Sequence, residues 1–107
     1  MVVLSNPSCS KCRQLLSYLR DKGIECTVRE YLEDPLSVEE ILELADKLGL
    51  AVSHWTREAV SAELGQAAQQ IADRPEILQR PIVIDGARAT VARSLPEFEL
   101  WLNSAGS

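Results

Sequence analysis

Histidine is almost missing from this chain, and cysteine is sparse. His54 is the single histidine, and Cys9, Cys12 and Cys26 are the three cysteines. A tetrahedral metal site needs four such ligands. His54 stands far from the cysteines without a partner at ligand spacing, so no metal centre is expected. Three cysteines in a reducing compartment also argue against a structural disulfide framework. No apolar run approaches the ~20 residues that span a bilayer. The opening MVVLSNP has neither the basic flank nor the apolar stretch of an export signal, so a cytoplasmic location is expected. Basic residues are outnumbered, 11 Lys and Arg against 16 Asp and Glu, for a net charge of −5. They are scattered, and neutralising phosphates needs a basic face, so direct contact with nucleic acid or an anionic membrane is not expected. Repeats, low-complexity tracts and linkers are absent too.

What remains is the composition of one globular domain. The 107 residues are 46% hydrophobic and 25% charged, enough for a single core and a single domain spanning 1–107. Val2, Val3 and Leu4 form a short apolar run ended by Ser-Asn-Pro, which reads as a buried strand. From Ser10, Leu15, Leu16 and Leu19 share a helical face, and Gly23 stops the helix. ECTVREYLED is strand-like, with Thr27, Val28 and Tyr31 favouring extended backbone. Strand, helix and strand in so few residues make a right-handed βαβ unit with parallel strands.

A helical block follows, over about 36–78. Ser37 and Glu40 have capping-box spacing, and Val38, Ile41, Leu42 and Ala45 form a stripe that Gly49 ends. Thr56 is placed to cap a second helix running towards Gly65, and QAAQQIADRPEIL adds another, broken before Pro75. Strand character returns in RPIVIDGARATVAR, where Asp85-Gly86 suits a tight hairpin turn. Ser94 and Glu97 have capping spacing for a last helix, with Leu95, Phe98 and Leu102 on one face. The expected fold is α/β: a small mixed four-stranded sheet in the order β-α-β, helical insertion, β-β-α.

In this layout Cys9 lies at the N-terminus of the first helix and Cys12 one turn further in. A helix N-terminus offers unpaired N–H groups and the positive end of the dipole, both of which favour a thiolate. In such motifs the first cysteine falls below its ordinary pKa of ~8.5 and becomes nucleophilic. Lys11 and Arg13 add positive charge nearby. Cys26 reads as plain packing. Trp55 and Trp101 read as anchors, and His54 as a loop or helix-edge residue.

Three stretches carry a family resemblance. NPSCSKCRQLL resembles the Asn-Pro-X-Cys-X-X-Ser-Arg opening of the glutaredoxin-dependent arsenate reductases, which have a thioredoxin-like fold. GIECTVREYLEDPLSVEEI resembles their second strand and entry into a helical insertion, and RPIVIDGARATVAR resembles their closing strand and hairpin. The resemblance spans essentially the whole chain. It implies Cys9 as nucleophile, with Arg57, Arg80 and Arg93 holding an oxyanion such as arsenate, and Pro81 in the cis form beside the nucleophile. It further implies a monomer with no bound cofactor, glutathione as co-substrate and glutaredoxin as protein partner. Physically, a thiolate approaching an arsenate dianion needs guanidiniums to neutralise the repulsion and bind its oxygens.

The chain departs from that pattern at two places. Cys12 stands where these reductases commonly carry serine, which makes it a candidate resolving thiol able to form a disulfide with Cys9. Ser5 stands where the best-known enzymes have a histidine that tunes the nucleophile. The chain is also shorter than a typical arsenate reductase. A Cys-X-X-Cys at this position is similar to Spx, a redox-sensing regulator of the same superfamily that binds RNA polymerase. The alternatives are therefore such a regulator, or a general thiol-disulfide oxidoreductase with another substrate.

Overall fold

Alternation along a four-residue strand decides how the two cores divide. In β1 (Val2–Ser5) Val3 points to one face and Leu4 to the other, as the strand period requires. Val3 packs with Leu15, Leu19, Val83, Ala92 and Phe98. Leu4 packs with Tyr31, Ile41, Trp55, Ile71 and Ile82. The computed structural model describes residues 1–104. Its remaining elements are α1 (Ser10–Asp21), β2 (Thr27–Glu30), α2 (Val38–Leu48), α3 (Leu64–Asp73), β3 (Ile82–Asp85), β4 (Arg88–Val91) and α4 (Leu95–Asn103), with 3-10 turns at Val52–His54 and Pro75–Ile77.

The sheet order is β2-β1-β3-β4. β1 and β2 run parallel, with Ser5 opposite Glu30. β3 is antiparallel to both β1 and β4. The Val3 face is covered by α1 and α4, and the Leu4 face by the helical block. This is the expected α/β architecture with its insertion between the second and third strands. Among the described residues, no helix is long and apolar enough to cross a membrane.

The ends of α2 follow from its sequence. The Ser37 side chain accepts from the Glu40 amide and the Glu40 carboxylate from the Ser37 amide, a complete capping box. At the far end Gly49 takes φ 64°, a left-handed conformation that a side chain would disfavour. Ser94 behaves differently from expectation: it accepts from the Glu97 amide at 3.3 Å, and no reciprocal bond from Glu97 accompanies it. The hairpin turn lies one residue later than the sequence suggested. Asp85 still pairs with Arg88, so the turn residues are Gly86 and Ala87, with Gly86 at φ 61°. Glycine first in a two-residue loop is what a type II′ turn uses.

The middle of the insertion departs more. Thr56 caps no helix. It is buried, its hydroxyl donates to the Val52 carbonyl at 3.0 Å, and it bridges Leu78 in antiparallel fashion. The Arg57 amide donates to the Ile77 carbonyl at 2.7 Å and the Gln79 amide to the Trp55 carbonyl at 3.0 Å. Backbone groups spent on this pairing are not available to open a helix, so residues 57–63 run irregularly. α3 starts only at Leu64, where the Glu63 carboxylate accepts from the amides of Gly65 and Gln66.

Candidate active site

The parallel pair β1 and β2 ends at one edge of the sheet, and the chain turns there from β1 into α1. The turn is held locally. Asn6 accepts the Ser8 amide on its side-chain oxygen at 3.0 Å and the Cys9 amide on its carbonyl at 2.9 Å. Arg13, read from sequence only as added charge, donates from Nη1 to the Pro7 carbonyl at 2.9 Å. Cys9 is the N-cap of α1, with extended backbone and no side-chain capping bond. Its thiol, half-buried, therefore stands over the free amides of the first turn.

The two cysteines are pushed apart in acidity. Burial alone raises the Cys9 pKa. The Cys12 amide, the Arg80 side chain, the Lys11 amide and the Cys12 thiol, all favouring the charged sulfur, outweigh it and bring the group to about 7. Cys12 is completely buried, and burial pushes its pKa up. The Asn6 amide opposes this, the Cys9 charge adds to it, and the Ser5 hydroxyl opposes it again. The Asn6 amide lies 3.4 Å from the Cys12 sulfur. At neutral pH Cys9 is thus ionised about half of the time, while Cys12 stays a thiol.

The arginines arrive from three directions. Arg80 follows the 77–79 stretch that pairs with Thr56, and its side chain favours the ionised Cys9 sulfur. The Arg80–Pro81 peptide is cis. Arg57 is exposed on the segment leaving Thr56, and its charge acts on the Tyr31 hydroxyl together with those of Arg80, Cys12 and Cys9. Arg93 follows β4, where the Ala92 amide donates to the Pro81 carbonyl at 2.9 Å. Its Nη2 donates to the His54 carbonyl at 2.5 Å. Arg80 and Cys12 thus act on the ionisation of Cys9, and Arg57 shares with all three an influence on the Tyr31 hydroxyl. Arg93 instead braces the segment that leads to Arg57.

Three participants were not read as such from the sequence. Ser5 stands out in sequence only for the histidine it replaces, yet it is buried and its hydroxyl opposes the rise in the Cys12 pKa. Asn6 belonged to a motif but not to a role. Tyr31 was counted as a strand residue. A concavity of about 780 Å³ lies away from Cys9, between the end of α2 and the irregular segment, with Thr56 and Arg57 on its wall.

Sequence and fold comparisons agree on where this arrangement belongs. The model of the ArsC family matches residues 4–99. The chain belongs to the ArsC family. Among similar proteins is an arsenate reductase of Neisseria meningitidis, 35% identical over 112 residues that cover 94% of this chain and 96% of the relative. Another is the global transcriptional regulator Spx 1 of Bacillus cereus, 35% identical over 114 residues, covering 95% of this chain and 87% of the relative. The solved arsenate reductase from Vibrio cholerae superposes with a TM-score of 0.83 at 32% identity, covering 94% of each chain. A putative arsenate reductase from Yersinia pestis gives 0.81 at 31%, covering 94% of this chain and 97% of its own. The fold of this ArsC-family chain is thioredoxin-like.

Proposed function

We propose that this ArsC-family protein is an arsenate reductase-like thiol oxidoreductase in which Cys9 attacks an oxyanion held by Arg57, Arg80 and Arg93. The observation that carries this reading is the Cys9 thiol at the N-cap of α1, with the Arg80 side chain among the groups that hold its pKa at about 7. The Arg80 guanidinium both favours the ionised sulfur and offers N–H donors to an anion. The free amides at the start of α1 add further donors.

The chemistry is a displacement followed by a reduction. The Cys9 thiolate bonds to arsenic, and one arsenate oxygen, with the protons it collects, leaves as water. Arsenic is still pentavalent at that stage. A second thiol then attacks the Cys9 sulfur, the sulfur–arsenic bond breaks, and its electron pair stays with arsenic, which becomes arsenite. Two thiols are oxidised to one disulfide as arsenic gains two electrons. The second thiol is glutathione or Cys12, and glutaredoxin returns the protein to its reduced form. Cys12 starts as a buried thiol, so it resolves the adduct only if α1's first turn brings it into line.

The experiment is arsenate-dependent oxidation of NADPH in the presence of glutathione, glutathione reductase and glutaredoxin, with wild-type protein and Cys12→Ser. Saturable turnover by both assigns the second thiol to glutathione. Turnover lost on Cys12→Ser assigns it to Cys12. No turnover by the wild type, where the Vibrio or Neisseria enzyme works, overturns the substrate assignment. A second reading has one observation in its favour, the likeness to Spx 1 together with the Cys9–Cys12 spacing. On that reading the pair is a redox sensor, and arsenate has no effect on it.

A further inference from the structure

Tyr31 directly follows β2. Because β1 and β2 are parallel with Ser5 opposite Glu30, it lies at the same strand-end edge as Asn6 and the turn into Cys9. Its ring is part of the core with Leu4, Trp55 and Ile82, and the residue is 1% exposed. Yet its hydroxyl has no hydrogen-bond partner. A buried phenol ordinarily finds one.

The surroundings say what partner is missing. Burial raises the pKa of this phenol, and the groups that then act on it are Arg80, Cys12, Arg57 and Cys9. All four belong to the candidate site. Guanidiniums are donors only, so neither arginine can accept the phenol proton. Neither cysteine sulfur takes it, since the hydroxyl has no hydrogen-bond partner. A buried O–H with no acceptor in the chain and arginine charge acting on it is complemented by an acceptor from outside the chain. A tetrahedral oxyanion is rich in acceptors, and it is the ligand that two arginines and a helix N-terminus suit.

We infer that the Tyr31 hydroxyl donates a hydrogen bond to the oxyanion bound at Cys9, which makes Tyr31 a substrate-binding residue. This rests on the anion site proposed above. It assigns a neutral, directional donor to a site otherwise built from charges. Such a donor fixes one oxygen of the anion and thereby orients the opposite face towards sulfur.

The test compares wild type with Tyr31→Phe, using arsenate and sulfate as probes. The readouts are protection of Cys9 from iodoacetamide, the pH profile of that alkylation without anion, and thermal melting. The expected result is a Kd for both anions about tenfold or more higher in the variant, the loss of a hydrogen bond to a charged acceptor. The Cys9 pH profile stays where it was, and the melting temperature does not fall. Equal protection in the two proteins overturns the role of the hydroxyl while leaving the anion site standing. A shifted alkylation profile with unchanged Kd overturns it in favour of a bond to the thiolate. No protection of the wild type by either anion removes the anion site itself, and Tyr31's role with it.

Discussion

Arg93 reaches back 39 residues to donate a hydrogen bond to the backbone carbonyl of His54. One of its five N–H donors is thereby committed to the protein. The carbonyl it holds lies three residues before Arg57, on a stretch that is otherwise fixed by its pairing with 77–79. Arg93 therefore has a positioning task whatever the anion does. Arg93→Ala is expected to speed amide exchange at Trp55–Arg57 even without a ligand, and to weaken arsenate binding. Arg93→Lys, which retains a donor and a charge, is expected to lose less in both measurements. Hydrogen-exchange mass spectrometry on the two variants checks it; unchanged exchange in Arg93→Ala contradicts the brace.

The acidity of Cys9 gives a direct pH prediction. With a pKa of about 7, its alkylation by iodoacetamide should rise through that pH and level off above it. Arg80→Ala removes a side-chain hydrogen bond that favours the thiolate, so the midpoint should move up towards the ordinary thiol value. Cys12 should stay unlabelled in the folded protein across the same range, being buried and held as the thiol. Peptide-resolved labelling separates the two sulfurs. A midpoint at the ordinary thiol value of ~8.5 in the wild type would contradict the activation.

A second pH effect concerns stability and lies away from the site. Arg29 donates to Glu40 at 2.6 and 3.2 Å, bracing β2 against the start of α2. The Arg29 side chain, followed by the Ser37 amide, lowers the Glu40 pKa to about 2. A carboxylate whose folded pKa lies below its unfolded one stabilises the fold above the unfolded value, and that stability disappears as pH falls through the folded value. The window here runs from about pH 5 down to about 2. Because the Glu40 side chain is 44% exposed, solvent screening reduces the contribution to about 1 kcal/mol. Urea titrations of wild type and Glu40→Gln should therefore differ at pH 7 and converge near pH 2. A difference that persists at low pH would place its origin elsewhere.

The sequence made some of this readable and concealed the rest for definable reasons. The βαβ start, the hairpin and the Ser37–Glu40 box are written in neighbouring residues, so their periodicity and capping chemistry are visible locally. The turn at Gly86–Ala87 was misplaced by one because Asp85-Gly86 carries the same turn signal in either register. Thr56 shows a sharper conflict. As a threonine ahead of an acidic residue it has a helix-start signature, but pairing with Leu78, 22 positions on, takes its backbone first. The site divides in the same way. Cys9 is marked by its place before α1, and the arginines by their resemblance to a family pattern. Ser5 and Tyr31 carry no motif, because what distinguishes them is burial beside Cys12 and an unpaired hydroxyl, both products of the assembled core.

The central claim is that the Cys9 sulfur itself reacts with the oxyanion. The measurement that tests it most directly is arsenite formation by fully reduced wild-type protein and Cys9→Ser, each given arsenate, glutathione and glutaredoxin. The account predicts sustained arsenite release by the wild type and none above background by Cys9→Ser, whose hydroxyl is not ionised near neutral pH. Equal arsenite release by the two proteins would contradict it.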